Sequence, residues 1–223
     1  MPKNVKILSL DKPQVSLDAL LSALKVGHDD EDIELIKRML GEALSIAKPA
    51  AMYAAYEPEI SNGIIYINGT CFDWPFVYEK LHSQRTVVPY VATCGVAVDG
   101  WSKAYTGIFD QFIADTIKYL LLGQIMEVLH KETALLYDPK KSASSINPGS
   151  LEVWPINGQG PLFKALGGVT DDIGVRLEES FLMVPNKSVS GIFFETEEHY
   201  DNCMLCPREN CPNRRAEYAP MWC

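Results

Sequence analysis

Cys203, Cys206, Cys211 and Cys223 place four of the chain's six cysteines within its last 21 residues, spaced C-x2-C-x4-C-x11-C. Thiolates this close in sequence can converge on one metal or iron–sulfur centre with little chain to close. Pro212 follows Cys211, as proline often follows a ligating cysteine in iron–sulfur runs, although the spacing is not that of bacterial ferredoxins. The pattern predicts a 4Fe-4S cluster, with a four-cysteine zinc site as the alternative, because structural zinc tolerates variable spacing. Cys223 stands apart from the other three. Arg214 and Arg215 lie among these cysteines and can serve the tail by hydrogen-bonding a charged cluster or a facing carboxylate. Cys71 and Cys94 fall in or beside predicted strands and read as small core residues.

Other chemistries lack their signatures. His28, His82, His130 and His199 do not cluster, and no H-E-x-x-H pattern occurs, so a histidine-based zinc hydrolase has no support. His199, just before the tail, is the one histidine placed to join it. No GxGxxG, Walker A or G-x-S-x-G motif is present. Trp74, Trp101 and Trp154 can line a flat apolar ligand site or fill a core. A formal net charge of −9 argues against binding a nucleic-acid backbone. No run of 18 apolar residues occurs, and the segment MPKNVKILSLDKPQ carries no apolar signal core, so a cytoplasmic protein without a membrane span is expected. In a reducing cytosol, clustered cysteines serve as ligands or redox groups more often than as disulfides.

The elements that must position these residues follow from periodicity. Ser16 caps a short helix to about Val26, and Asp29–Asp32 opens a second whose apolar stripe runs from Ile33 to Ile46 and ends before Pro49. Ala50–Tyr56 and Gly63–Ile67 read as strands, the second closed by an Asn68-Gly69 turn. Thr86–Thr93 is a buried strand in which Pro89 favours an edge or a bulge. Phe109 to about Leu135 is the longest helical pattern. Residues 138–160 read as a long Pro/Gly/Ser-rich connection. Leu162–Leu166 follows as a short helix, and Val175–Phe194 as two strand-like pieces around Pro185-Asn186. Helices, strands, a long helix and strands again indicate an α+β fold.

One segment is more specific. Leu177–Phe194 reads LEESFLMVPNKSVSGIFF and resembles the last-strand signature of the activation domain of cobalamin-dependent methionine synthase, close to L-T-E-S-F-A-M-x-P-x-x-S-V-S-G. Glu179, Ser180, Phe181, Met183, Pro185, Ser188, Val189, Ser190 and Gly191 fall in register. Short free-standing relatives of that domain end in a Cys-x2-Cys-x4-Cys-Pro-x-Arg tail, which Cys203–Arg214 resembles.

The resemblance implies a curved antiparallel sheet flanked by helices. It divides the chain into an N-terminal region 1–85 packed on the same domain, an activation-domain-like core 86–200, and the cysteine-rich tail 201–223. It also implies a corrinoid protein or cobalamin-dependent methyltransferase as partner, with the cobalamin held by that partner and S-adenosylmethionine (AdoMet) as ligand. Asn147, Gly149, Glu152, Trp154, Glu179, Ser188 and Ser190 are then the candidate ligand- or partner-facing residues, with Cys203, Cys206, Cys211 and Cys223 as metal ligands. Ser145 and Ser150 stand where the family carries an AdoMet-binding Arg and a Tyr. AdoMet would therefore need other groups here, with Glu152 and Glu179 as acidic candidates for its amine. The function implied is accessory: reductive reactivation of a corrinoid-dependent methyltransferase, or, as the alternative, a non-catalytic corrinoid-protein binding module with a structural metal in its tail.

Overall fold

A computed structural model describes residues 5–29, 31–211 and 214–219. Its centre is a five-stranded sheet, antiparallel throughout, in the order β1 (Lys6–Ser9), β2 (Ala50–Tyr53), β6 (Val88–Thr93), β10 (Ser188–Thr196), β7 (Ser142–Ile146). The residues before position 86 thus supply two of its strands. A small sheet of β3 (Glu59–Ser61), β4 (Ile64–Ile67) and β5 (Thr70–Phe72) and a hairpin of β8 (Arg176–Leu177) with β9 (Met183–Val184) lie apart from it. The helices are α1 (Leu17–Leu24), α2 (Ile33–Ile46), α3 (Pro75–Leu81), α4 (Val96–Ser102), α5 (Ile108–Ala134), α6 (Gln159–Leu166) and α7 (Val169–Ile173). This is an α+β fold with antiparallel sheets flanked by helices. No helix among the described residues is long and apolar enough to cross a membrane.

Strand alternation explains the layers. One face of the main sheet turns Tyr53, Val88, Tyr90 and Phe193 onto Ile125 and Leu129 of α5. The other turns Met52 and Val91 onto Leu166, Val169 and Ile173, and Ile146, Ile192 and Phe194 onto Leu162 and Trp154. β6 is buried along its whole length, and each fully buried Val in it stabilises the fold by about 1.5–3 kcal/mol. The first half of α5 packs against α1 and α2 through Ile113, Ile117 and Leu121, so this helix is apolar on more than one side. The Ser16 cap is present, its hydroxyl accepting from the Ala19 N–H. The Asn68-Gly69 turn joins β4 to β5 with both residues at positive φ.

Two expectations are corrected. Pro89 lies in an interior strand, not at an edge. Its missing N–H faces Ala54, where the ladder to β2 stops and resumes only as the Tyr56–Val87 bridge. The 138–160 stretch is not a plain connection: it contains edge strand β7, a 3-10 turn (Ile156–Gly158) and the start of α6. The strand sequence SASSI gives little apolar alternation, and pairing with β10 from Ile146–Ile192 to Ser142–Thr196 supplies what its composition lacks.

Candidate functional site

Asn147, the residue after β7, is the hub of the signature region. Its Nδ2 donates to Tyr90 Oη and to the Ser190 carbonyl, both at 2.8 Å, and its Oδ1 accepts from Asn202 Nδ2 at 2.9 Å. Tyr90 is buried and stacks on Phe193 at 4.4 Å. Burial pushes its phenol pKa up, against the opposing pull of the Asn147 hydrogen bond. Gly191 makes this arrangement possible: a Cβ there would lie 2.4 Å from Asn147 Nδ2 and 2.6 Å from the Ile146 carbonyl. The glycine of the S-V-S-G motif is therefore the gap through which the amide crosses β10. Tyr200 continues the staple, its N–H donating to Ser144 Oγ at 2.9 Å and its hydroxyl to Asn202 Oδ1 at 3.2 Å.

The other sequence candidates distribute around this hub. Gly149, at φ +83°, donates its N–H to the Trp154 carbonyl at 2.8 Å and closes the loop after Asn147. Trp154 is wholly buried against Trp74, so it packs in the core and does not line a surface site as expected. Glu152 on the same loop and Glu179 in the β8–β9 hairpin are exposed and make no ion pair among the described residues. Ser188 Oγ donates to the Pro185 carbonyl at 2.8 Å and closes the turn into β10. Ser190 Oγ is buried and has no hydrogen-bond partner among the described residues. The structure thus joins Asn147 directly to Ser190, puts Gly149, Glu152 and Trp154 on the next loop, and leaves Glu179 and Ser188 on the hairpin and its turn.

The tail is ordered by arginine. Arg214 Nη1 donates to the carbonyls of Cys203 and Ala216, and Nη2 to those of Cys206 and Arg208, at 2.6–3.1 Å. One guanidinium therefore gathers carbonyls of the 3-10 turn Asn202–Leu205 and the following loop, including that of Cys203, which also accepts the Cys206 N–H. Asp201 caps that turn, accepting from the Cys203 N–H at 2.8 Å, and pairs with Arg215 through two contacts of 3.0 and 3.3 Å. Burial alone would raise the Asp201 pKa; the Cys203 N–H and Arg215 outweigh it and hold the carboxyl below its usual range. Partial desolvation would lower the Arg215 pKa; Asp201 first and Cys203 second outweigh it and hold this largely exposed guanidinium above its usual value.

Cys203, Cys206 and Cys211 are half-buried along this loop, but among the described residues no three His, Cys, Asp or Glu side chains converge to hold a metal. Cys223 lies outside the described residues. The described thiols do not fit a 4Fe-4S or zinc centre. Cys71 is exposed on β5, and Cys94 is buried after β6, its thiol pushed up to about 12 by burial.

Between tail, sheet and α5 lies a cavity of about 420 Å3. Met126 and His130 of α5, Ser145 and Phe193 of the sheet, and Asp201 and Arg215 of the tail face it. Of the partners open to the arginine pair, a charged cluster or a carboxylate, Arg215 takes the carboxylate of Asp201. The signal was Asp201 two residues before Cys203, the spacing of a side-chain cap. A larger cleft of about 880 Å3 lies elsewhere, lined by Tyr56, Arg85, Tyr137 and Glu195 among others.

No protein-family model matches the chain, and no curated protein matches it in sequence. Among solved structures it is similar to the crystal structure of the MetH reactivation domain bound to AdoHcy, with a TM-score of 0.57 and 14% identity, covering 89% of this chain and 81% of that one. A likeness at this identity establishes a shared fold: the chain has the architecture of a methionine synthase reactivation domain.

Proposed function

We propose that this chain is a reactivation-type module. It docks on a corrinoid protein or cobalamin-dependent methyltransferase and presents an AdoMet-type ligand to the partner's cobalamin during reductive reactivation. The observation that carries this reading is the fold shared with a reactivation domain that binds AdoHcy, over nearly the whole chain. The signature segment adds local support, because its Gly191 and Ser190 are where Asn147 ties β7 to β10. The ligand would supply a sulfonium methyl and leave as the thioether. This chain's part is positioning, and a methyl group held in line with its acceptor removes much of the entropic barrier to transfer. Methylating Co(II) cobalamin also takes one electron, which a reductant must supply.

A second reading, a binding module without chemistry, is favoured by one observation: serines occupy positions 145 and 150. Anaerobic size-exclusion chromatography with a cobalamin-loaded methyltransferase, with and without AdoHcy, separates the two. Co-elution strengthened by AdoHcy is expected. Co-elution indifferent to AdoHcy supports the second reading, and no co-elution at any protein concentration up to about 100 μM overturns both.

A further inference from the structure

The cavity between the tail and α5 is built from four segments, α5, β7, β10 and the tail, and carries a distinct pattern of charge. Its floor is apolar and aromatic: Phe193 from β10, with the His130 ring edge-on at 5.7 Å, and Met126 beside them. Gly123 of α5 also faces it and leaves open space where a Cβ would stand. Its charged groups are Glu127 and Lys131, paired with each other at 2.7 Å, and Asp201 and Arg215, paired at 3.0 Å; His199 completes the rim. Positive and negative charge are thus matched within one cavity whose volume suits a small molecule. The Arg215–Asp201 pair is held from behind, because Asp201 caps the tail turn and Arg214 clamps that turn's carbonyls. Asp201 and the neighbouring Cys203 side chain engage only part of the five-donor guanidinium fork, which leaves N–H groups for a ligand.

We infer that the tail completes a ligand site: this cavity takes the α-amino-acid head of a thioether or sulfonium nucleoside, with Arg215 on the ligand carboxylate and Asp201 on its ammonium. A zwitterionic head can turn its carboxylate to Arg215 and its ammonium to Asp201 at once, where a simple anion or cation would gain one attraction and meet the like charge of the other group. Ser145 faces the same cavity and offers no charge. Arg215 is the guanidinium that lines this cavity, and it comes from the tail. The two arginines divide the work: Arg214 folds the tail, and Arg215 recognises. This inference rests on the AdoMet-type ligand proposed above.

The test is isothermal titration of the full chain with AdoHcy and with 5′-methylthioadenosine, which keeps the adenosine and the sulfur but lacks the amino-acid head. Wild type is expected to prefer AdoHcy. Arg215→Gln and Asp201→Asn should each weaken AdoHcy about 10-fold or more, the scale of a charge-assisted hydrogen bond, and leave methylthioadenosine within about twofold. Arg215→Gln combined with Ser145→Arg should regain part of the loss, because it returns a guanidinium to the opposite wall. Arg85→Gln, in the larger cleft, should change neither ligand. If AdoHcy binds wild type and both tail variants alike, the site lies elsewhere and the inference falls while the proposed function stands. If both ligands weaken equally, Arg215 is only structural and the inference also falls. If AdoHcy does not bind wild type, the inference and the ligand part of the proposed function fall together.

Discussion

The junction around Asn147 and the cysteine-rich tail meet at the hydrogen bond from Asn202 to Asn147, yet different forces hold them. At the junction, uncharged amide, phenol and carbonyl groups pair in the interior, although Ser190 Oγ has no partner among the described residues. Tyr90, Ser190 and Asn202 are buried, and Gly191 leaves room for nothing larger. In the tail, two guanidinium groups near solvent gather carbonyls and a carboxylate, and the thiols point to no common centre among the described residues. The difference separates a rigid part from an adjustable one. A buried neutral network costs several kcal/mol to break, because each lost partner strands another polar group. A surface loop held by arginine can loosen without unfolding the domain.

The contrast breaks most sharply at Gly191. Gly191→Ala puts a methyl group on the Asn147 amide and the Ile146 carbonyl, and should cost about 3 kcal/mol in urea unfolding. An effect under about 1 kcal/mol would mean that the junction is not tightly packed. Asn147→Ala comes next. It leaves the Tyr90 hydroxyl and the Ser190 carbonyl without this partner and should cost about 2 kcal/mol by the same measurement.

Arg214→Gln should act locally. Amide exchange at Cys206 and Ala219 should accelerate about tenfold, with global stability changed by less than about 1 kcal/mol. Uniformly faster exchange across β6 and β10 would show instead that tail and sheet unfold together.

Acid sharpens the comparison. The Asp201 carboxyl is held below its ordinary value, so its stabilising effect is complete above the unfolded value of about 3.9 and is lost as pH falls through the lowered folded one. Exchange in the tail should therefore rise in that window in wild type and be flat in Asp201→Asn. Cys206→Ala should have the smallest effect, changing AdoHcy affinity by no more than about twofold, as should prior treatment with a metal chelator. A larger loss would show that a metal shapes the site.

Much of the scaffold was legible because it rests on local rules. Ser16 caps α1, the Ile33–Ile46 stripe is helical, and Asn68-Gly69 makes its turn. The signature LEESFLMVPNKSVSG anticipated the fold, and its glycine has a steric reason that the sequence alone did not give. Missed features depended on partners distant in the chain. β7 is a strand because β10 pairs with it, and Pro89 is interior because β2 and β10 flank β6. At the candidate site, Asn147 and Ser190 were named and meet, while Trp154 proved to be core. The cavity that Asp201 shares with Arg215 has no spacing signature, because a helix, a sheet edge and a tail form it together. The cysteines, the loudest signal in the sequence, mark a loop whose described geometry is organised by arginine.

The central claim, that this module supports reactivation of a partner's cobalamin, is tested most directly by following the visible spectrum of a cobalamin-loaded methyltransferase under anaerobic reductant and AdoMet. Adding this chain should accelerate the appearance of methylcobalamin absorbance at least about tenfold, well beyond what a single misplaced contact would alter. An unchanged rate, with both proteins folded and AdoMet in excess, would contradict the account.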